Sequence, residues 1–179
     1  MWKQKTMKNH QVNFLSKFGD YESLKKHITG KGLNQMMGTR VGIEPELQDT
    51  ILNSRHHGTI VRLARNPSIS SDSIDRLIAD PELTNRSSAA NVKKLSKEQQ
   101  EKLLSQDNHM VNYQLALNRH LHPDVYEKLS QNKTFEVKGA LAENPSISSD
   151  LIRKMYDAKH EKADALIKGR LGAHPNAPD

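Results

Sequence analysis

Nine histidines are the first residues to weigh for chemistry, because neutral imidazole ligates metals and moves protons near neutrality. Two pairs stand close together, His56-His57 and His120-x-His122. Adjacent side chains point apart on a helix, and neither pair falls in a His-Glu-x-x-His arrangement or beside a cysteine. The expectation is no metal and no cofactor. Thr29-Gly30-Lys31-Gly32 has the composition of a phosphate loop without its spacing, and no buried strand leads into it, so it reads as a helix stop. Ser70-Ser71 and Ser148-Ser149 are hydroxyl pairs open to phosphorylation, at positions that helix capping already explains. No acid–base or nucleophile–base pairing is legible, and the chain is expected not to be an enzyme.

Basic residues are the remaining candidates. Arg76, Lys102, Lys128 and Lys154 recur at one spacing, and Lys93-Lys94 stand apart from them. All six are candidate partner-binding residues. Asp75, Glu101 and Glu127 precede three of the four column members, and alternating signs on a helix mark a solvated face. Net charge is +6, unevenly placed. Residues 1–32 hold seven lysines against Asp20 and Glu22, giving +5, while the other 147 residues carry 20 basic and 19 acidic groups. Lys3, Lys5 and Lys8 form a candidate basic arm. A nucleic-acid groove running along the whole chain would show basic excess throughout. That pattern is absent.

What positions these residues is a repeat. Leu63-Ala-Arg-Asn-Pro-Ser-Ile-Ser-Ser-Asp-Ser-Ile74 returns as Leu141-Ala-Glu-Asn-Pro-Ser-Ile-Ser-Ser-Asp-Leu-Ile152. Self-similarity on this scale signals an array of stacked units. Anchoring on Asn66, Asn91, Asn118 and Asn144 gives spacings of 25, 27 and 26, with a degenerate earlier copy at Arg40 and a partial one at Leu171-Gly-Ala-His-Pro-Asn-Ala-Pro178. On these anchors the copy at 82–107 carries a one-residue insertion by Lys93-Lys94, and Arg86, Ser87, Ser88 and Gln100 make it the polar outlier.

Each copy predicts two helices joined by a corner. The second begins at the column Glu44, Ser70, Ser96, His122 and Ser148, where serine can accept from a first-turn amide. Pro45 and Pro123 suit the first helical position, and Glu46, Asp72, Glu98, Asp124 and Asp150 complement the helix dipole. The first helix is expected to be shorter and to end at asparagine in the left-handed conformation, ahead of Pro67 and Pro145. Three columns supply a core: Ile43, Ile69, Leu95, Leu121 and Ile147; Ile51, Leu77, Leu103, Leu129 and Met155; and the small set Ala64, Ala89, Ala116 and Ala142. Burying four or five such side chains at roughly 1.5–3 kcal/mol each does not offset about 1–2 kcal/mol of backbone entropy per ordered residue. One copy cannot stand alone, so neighbours must stack.

The line Leu141-Ala-Glu-Asn-Pro-Ser-Ile-Ser-Ser-Asp-Leu-Ile resembles a leucine-rich variant repeat, through Leu141, Ala142, Asn144, Pro145, Ile147 and Ile152. The resemblance covers about residues 37–179. It implies a right-handed, HEAT-like superhelix in which a short helix, often 3₁₀, alternates with a longer α-helix. The family is a scaffold class and implies no activity. One architecture in it carries a cysteine-ligated iron–sulfur cluster, and this chain has no cysteine.

The fold expected is an all-α, right-handed α-solenoid of about five two-helix repeats. Residues 1–32 would be a basic N-terminal helical cap or arm, with Phe14, Phe18 and Tyr21 at helical spacing. The array would span 33–179, divided at about 33–55, 56–81, 82–107, 108–132, 133–159 and a partial 160–179. The stop after the last corner predicts an open C-terminal end that receives a partner. With no apolar run long enough for a membrane span and no secretory signal, the expected location is the cytoplasm. The leading expectation is a non-enzymatic scaffold that binds another protein. The alternative is a nucleic-acid binder using the N-terminal lysines and the basic column.

Overall fold

The computed structural model describes residues 42–157 and 164–178. The N-terminal cap and arm, including Lys3, Lys5, Lys8, Thr29-Gly-Lys-Gly32 and the Arg40 corner, lie outside the described residues. Those described form ten α-helices and no strand: α1 Pro45–Asn53, α2 His57–Ala64, α3 Ser71–Ile78, α4 Leu83–Ala89, α5 Lys97–Leu104, α6 His109–Leu117, α7 Pro123–Ser130, α8 Phe135–Ala142, α9 Ser149–Asp157 and α10 Asp164–Gly172. None of them is long and apolar enough to cross a membrane. The chain divides into two compact units, Met1–Leu77 and Ile78–Asp179.

Helix starts fall on one period. Pro45, Ser71, Lys97, Pro123 and Ser149 open successive second helices, and His57, Leu83, His109 and Phe135 open first helices, each 26 residues after the last. The capping columns explain the second set. Ser70 Oγ accepts from Ser73 N at 3.1 Å and Ser148 Oγ from Leu151 N at 3.2 Å. Ser96 and Gln99 close a reciprocal capping box. His122 Nδ1 accepts from Asp124 N at 3.3 Å, whereas the Glu44 side chain makes no capping bond.

Two expectations change. First helices are not shorter: α2, α4, α6 and α8 have 8, 7, 9 and 8 residues, and α3, α5, α7 and α9 have 8, 8, 8 and 9. The left-handed backbone does not fall at the asparagine column either. It falls at Arg55 (φ 54°) and Asp107 (φ 45°), just past the ends of α1 and α5, while Asn118 is extended at φ −74°, ψ 126°.

All members of the two large apolar columns are buried. The alanine column runs through Ala90 rather than Ala89, because Ala64, Ala90, Ala116 and Ala142 hold the 26-residue spacing and all are buried. The copy at 82–107 therefore has no insertion. Val92, not Asn91, occupies the asparagine position there, and the Asn91 side chain donates only to Ser87 O in its own helix.

In the unit Ile78–Asp179, asparagines tie one corner to the next. Asn118 Nδ2 donates to Ala90 O and Val92 O at 2.8 and 2.9 Å, and Asn144 Nδ2 donates to Ala116 O and Asn118 O at 2.7 and 2.9 Å. Their Oδ1 atoms accept from His120 N and Ser146 N, both at 3.0 Å, which folds the corner over the side chain. At the end of the chain His174 takes this place: Nε2 donates to Asn144 O at 2.9 Å and Nδ1 accepts from Asn176 N at 3.0 Å. Asn176 Nδ2 then donates to Pro145 O and Ile147 O, both at 3.0 Å. The carbonyls of the preceding corner are thus paired by the tail.

A second buried amide column works differently. Gln100 Nε2 donates to Leu95 O at 3.0 Å and Oε1 accepts from His122 N at 2.7 Å, linking α5 to the cap of α7. Gln48 does the same in the unit Met1–Leu77, donating to Ile43 O at 2.8 Å and accepting from Ser70 N at 2.8 Å. Gln100 is therefore a cross-copy bond rather than a relaxed core position.

Candidate functional site

The basic column lies on exposed turns of the second helices, and every member is paired. Arg76 meets Asp49, Lys128 meets Glu101 at 3.3 Å, and Lys154 meets Glu127 at 2.8 Å, each pair 27 residues apart. Lys102 meets Glu98 on its own helix at 2.9 Å. Glu127, the first cause, holds the Lys154 ammonium above the usual lysine range. Lys97 and Asp124 add a further pair at 2.6 Å, raising the one and lowering the other through their hydrogen bond. The acids beside the column are not simply local partners on one solvated face. Glu101 and Glu127 each hold the base 27 residues further on, Lys128 and Lys154. Exposed pairs of this kind contribute little stability, but they neutralise the cations a phosphate backbone would need.

Lys93 and Lys94 are placed elsewhere, exposed in the corner before α5. The Asn118 amide bonds to Ala90 and Val92 set this corner beside that of Arg119 and His120, which are also exposed. Histidines do not gather for metal: among the described residues no group of three His, Asp or Glu side chains is arranged to hold an ion.

The site missed by reading motifs is on α6. Its inner face is Val111, Asn112, Leu115 and Ala116. Its outer face carries Met110, Tyr113 and Leu117, 43, 36 and 42 % exposed. These positions are separated by three and four residues, so they form one stripe along the helix. The helix has spent apolar side chains on solvent and a polar one on the interior, where Asn112 Oδ1 is buried without a hydrogen-bond partner. Stability alone selects the reverse. Aligned at 26 residues, the signal was present. Met110 stands where other copies have Gly58, Thr84 and Glu136; Tyr113 where they have Val61, Ser87 and Gly139; Leu117 where they have Arg65, Asn91 and Glu143. Anchoring that copy on Asn91 instead of Val92 moves these positions out of register by one residue.

Two further apolar side chains, Tyr156 and Leu166, are exposed on α9 and α10. Tyr156 is partly covered by Lys168, whose Nζ lies 5.1 Å from the ring centroid.

No protein-family model matches the chain, and neither a curated protein nor a solved structure matches it.

Proposed function

We propose that the chain is a non-enzymatic α-solenoid scaffold, of the leucine-rich variant, HEAT-like kind, that binds another protein through the outer face of α6. The observation that carries this reading is that α6 is apolar on its outer face as well as its inner one, with Met110, Tyr113 and Leu117 outward while Asn112 is turned inward. Regular helix starts and the corner-to-corner amide bonds support the stacked architecture. Stacked two-helix units give a rigid, extended surface on which one atypical helix can serve as a docking strip. Apolar stripes of this spacing are the anchors through which helices and grooves recognise one another.

The test is affinity capture with the full chain beside the variant Met110→Ser, Tyr113→Ser, Leu117→Ser, with far-UV circular dichroism to show that both are folded. A protein retained by the first and lost by the second is the expected result. An identical set of captured proteins from both would sink the reading, as would capture of nucleic acid alone.

A further inference from the structure

The α6 stripe does not end in neutral surface. Leu117 is the last residue of the helix, and Arg119 and His120 follow it into the exposed corner. The neighbouring corner presents Lys93 and Lys94, brought alongside by the two Asn118 amide bonds. Among the described residues Lys93 and Arg119 make no salt bridge. The nearest acids on the helices that leave these corners are already engaged, Glu98 with Lys102 and Asp124 with Lys97. At the same two corner positions the copies on either side carry Pro67-Ser68 and Pro145-Ser146, which are neutral. At these two corner positions positive charge thus stands in the two copies that adjoin the stripe and not in the copies on either side.

We infer that the partner surface is composite and takes an acidic protein segment. Its apolar side chains lie along Met110, Tyr113 and Leu117, and its carboxylates reach Lys93 and Arg119. This rests on the protein-binding reading above and adds the chemistry of the partner. Charge complementarity selects an anionic occupant. Two features favour a peptide over nucleic acid. The column that would follow a phosphate backbone is paired with carboxylates. The stripe itself has two flexible aliphatic side chains and one ring, which suit apolar anchors better than stacked bases.

The experiment is selection of a displayed random-peptide library on the full chain. It is followed by titration of the enriched peptides against the chain, against Lys93→Glu with Arg119→Glu, and against Met110→Ser with Leu117→Ser. Enriched sequences should combine acidic and apolar residues and bind the charge-reversed variant about tenfold more weakly at low salt. Enrichment of apolar peptides without acidic bias, or unchanged binding to the charge-reversed variant, would overturn this inference and leave the stripe standing. Failure to enrich, or binding indifferent to Met110→Ser with Leu117→Ser, would remove the stripe as well. Oligothymidine or duplex DNA bound by the chain and lost with Lys93→Glu and Arg119→Glu would overturn it in favour of nucleic acid.

Discussion

Asn144→Ala is the substitution on which the corner mechanism stands or falls. The side chain is 3 % exposed and makes three hydrogen bonds, donating to Ala116 O and Asn118 O and accepting from Ser146 N. Their loss is unequal. Asn118 O keeps the Tyr126 hydroxyl at 2.9 Å, and Ser146 is exposed, so water can reach its amide. Ala116 belongs to a fully buried residue, and its carbonyl would lose the amide that pairs it, at a cost of about 1–3 kcal/mol. Two further bonds at about 0.5–1.5 kcal/mol each, partly recovered by water, bring the expected loss to about 2–4 kcal/mol. That is a large share of the roughly 5–15 kcal/mol that holds a domain together. Asn91→Ala is the control. Asn91 is partly exposed and donates only to Ser87 O at 3.1 Å, so its removal should cost under about 1 kcal/mol. Asn144→His should retain more stability than Asn144→Ala, since His174 performs both roles with its two ring nitrogens. Urea unfolding followed by circular dichroism, with m-values compared, measures all three. A loss below about 0.5 kcal/mol for Asn144→Ala, or equal losses at Asn91 and Asn144, would refute the assignment of Val92 to the asparagine position.

Two other outcomes follow from the buried polar column. Gln100→Leu restores an apolar residue like Ile74 and Ile152 at that position, yet it should destabilise by about 1–3 kcal/mol. It strips partners from Leu95 O and His122 N, and a neutral or stabilising result in urea unfolding would count against the cross-copy bond. Tyr126 gives an alkaline signature. Burial, the leading cause, pushes its phenol above the usual tyrosine value, while its hydroxyl donates to Asn118 O and accepts from Leu121 N. The contribution is complete below the ordinary value of about 10. Above it the unfolded chain ionises first, so stability falls as pH rises toward the folded value. Urea midpoints measured from about pH 8 to about pH 11 should fall less steeply for Tyr126→Phe than for the parent chain; parallel curves would argue against that burial effect.

Some of this molecule is local physical chemistry and is therefore written in the sequence. A serine before an acidic first turn, or a proline at the first helical position, acts within one turn of its own helix. Such residues place the starts of α3, α5, α7 and α9 without reference to any other part of the chain. Apolar columns are legible for a related reason: burial selects residue type position by position, and Ile51, Leu77, Leu103 and Leu129 report it directly. The asparagines show where that reach stops. Their type suggests a left-handed helix end, a local role, but the amides donate 26 and 28 residues back, and the left-handed turns lie at Arg55 and Asp107 instead. Identity at Asn91 outweighed spacing and shifted one copy by a residue. The tertiary fold corrects this because the acceptors at Ala90 and Val92 exist only when two corners stand side by side. Charge pairing divides in the same way. Glu101 and Glu127 look like neighbours of the next residue in sequence, and the fold pairs them with Lys128 and Lys154. Sequence alone determined that helices begin on a repeating unit and which faces are apolar. Tertiary structure alone decided which polar groups meet and that, among the described residues, Lys93 and Arg119 are left without a salt bridge. The physical reason is distance along the chain: capping acts across three or four residues, whereas these choices are made by partners a full copy away.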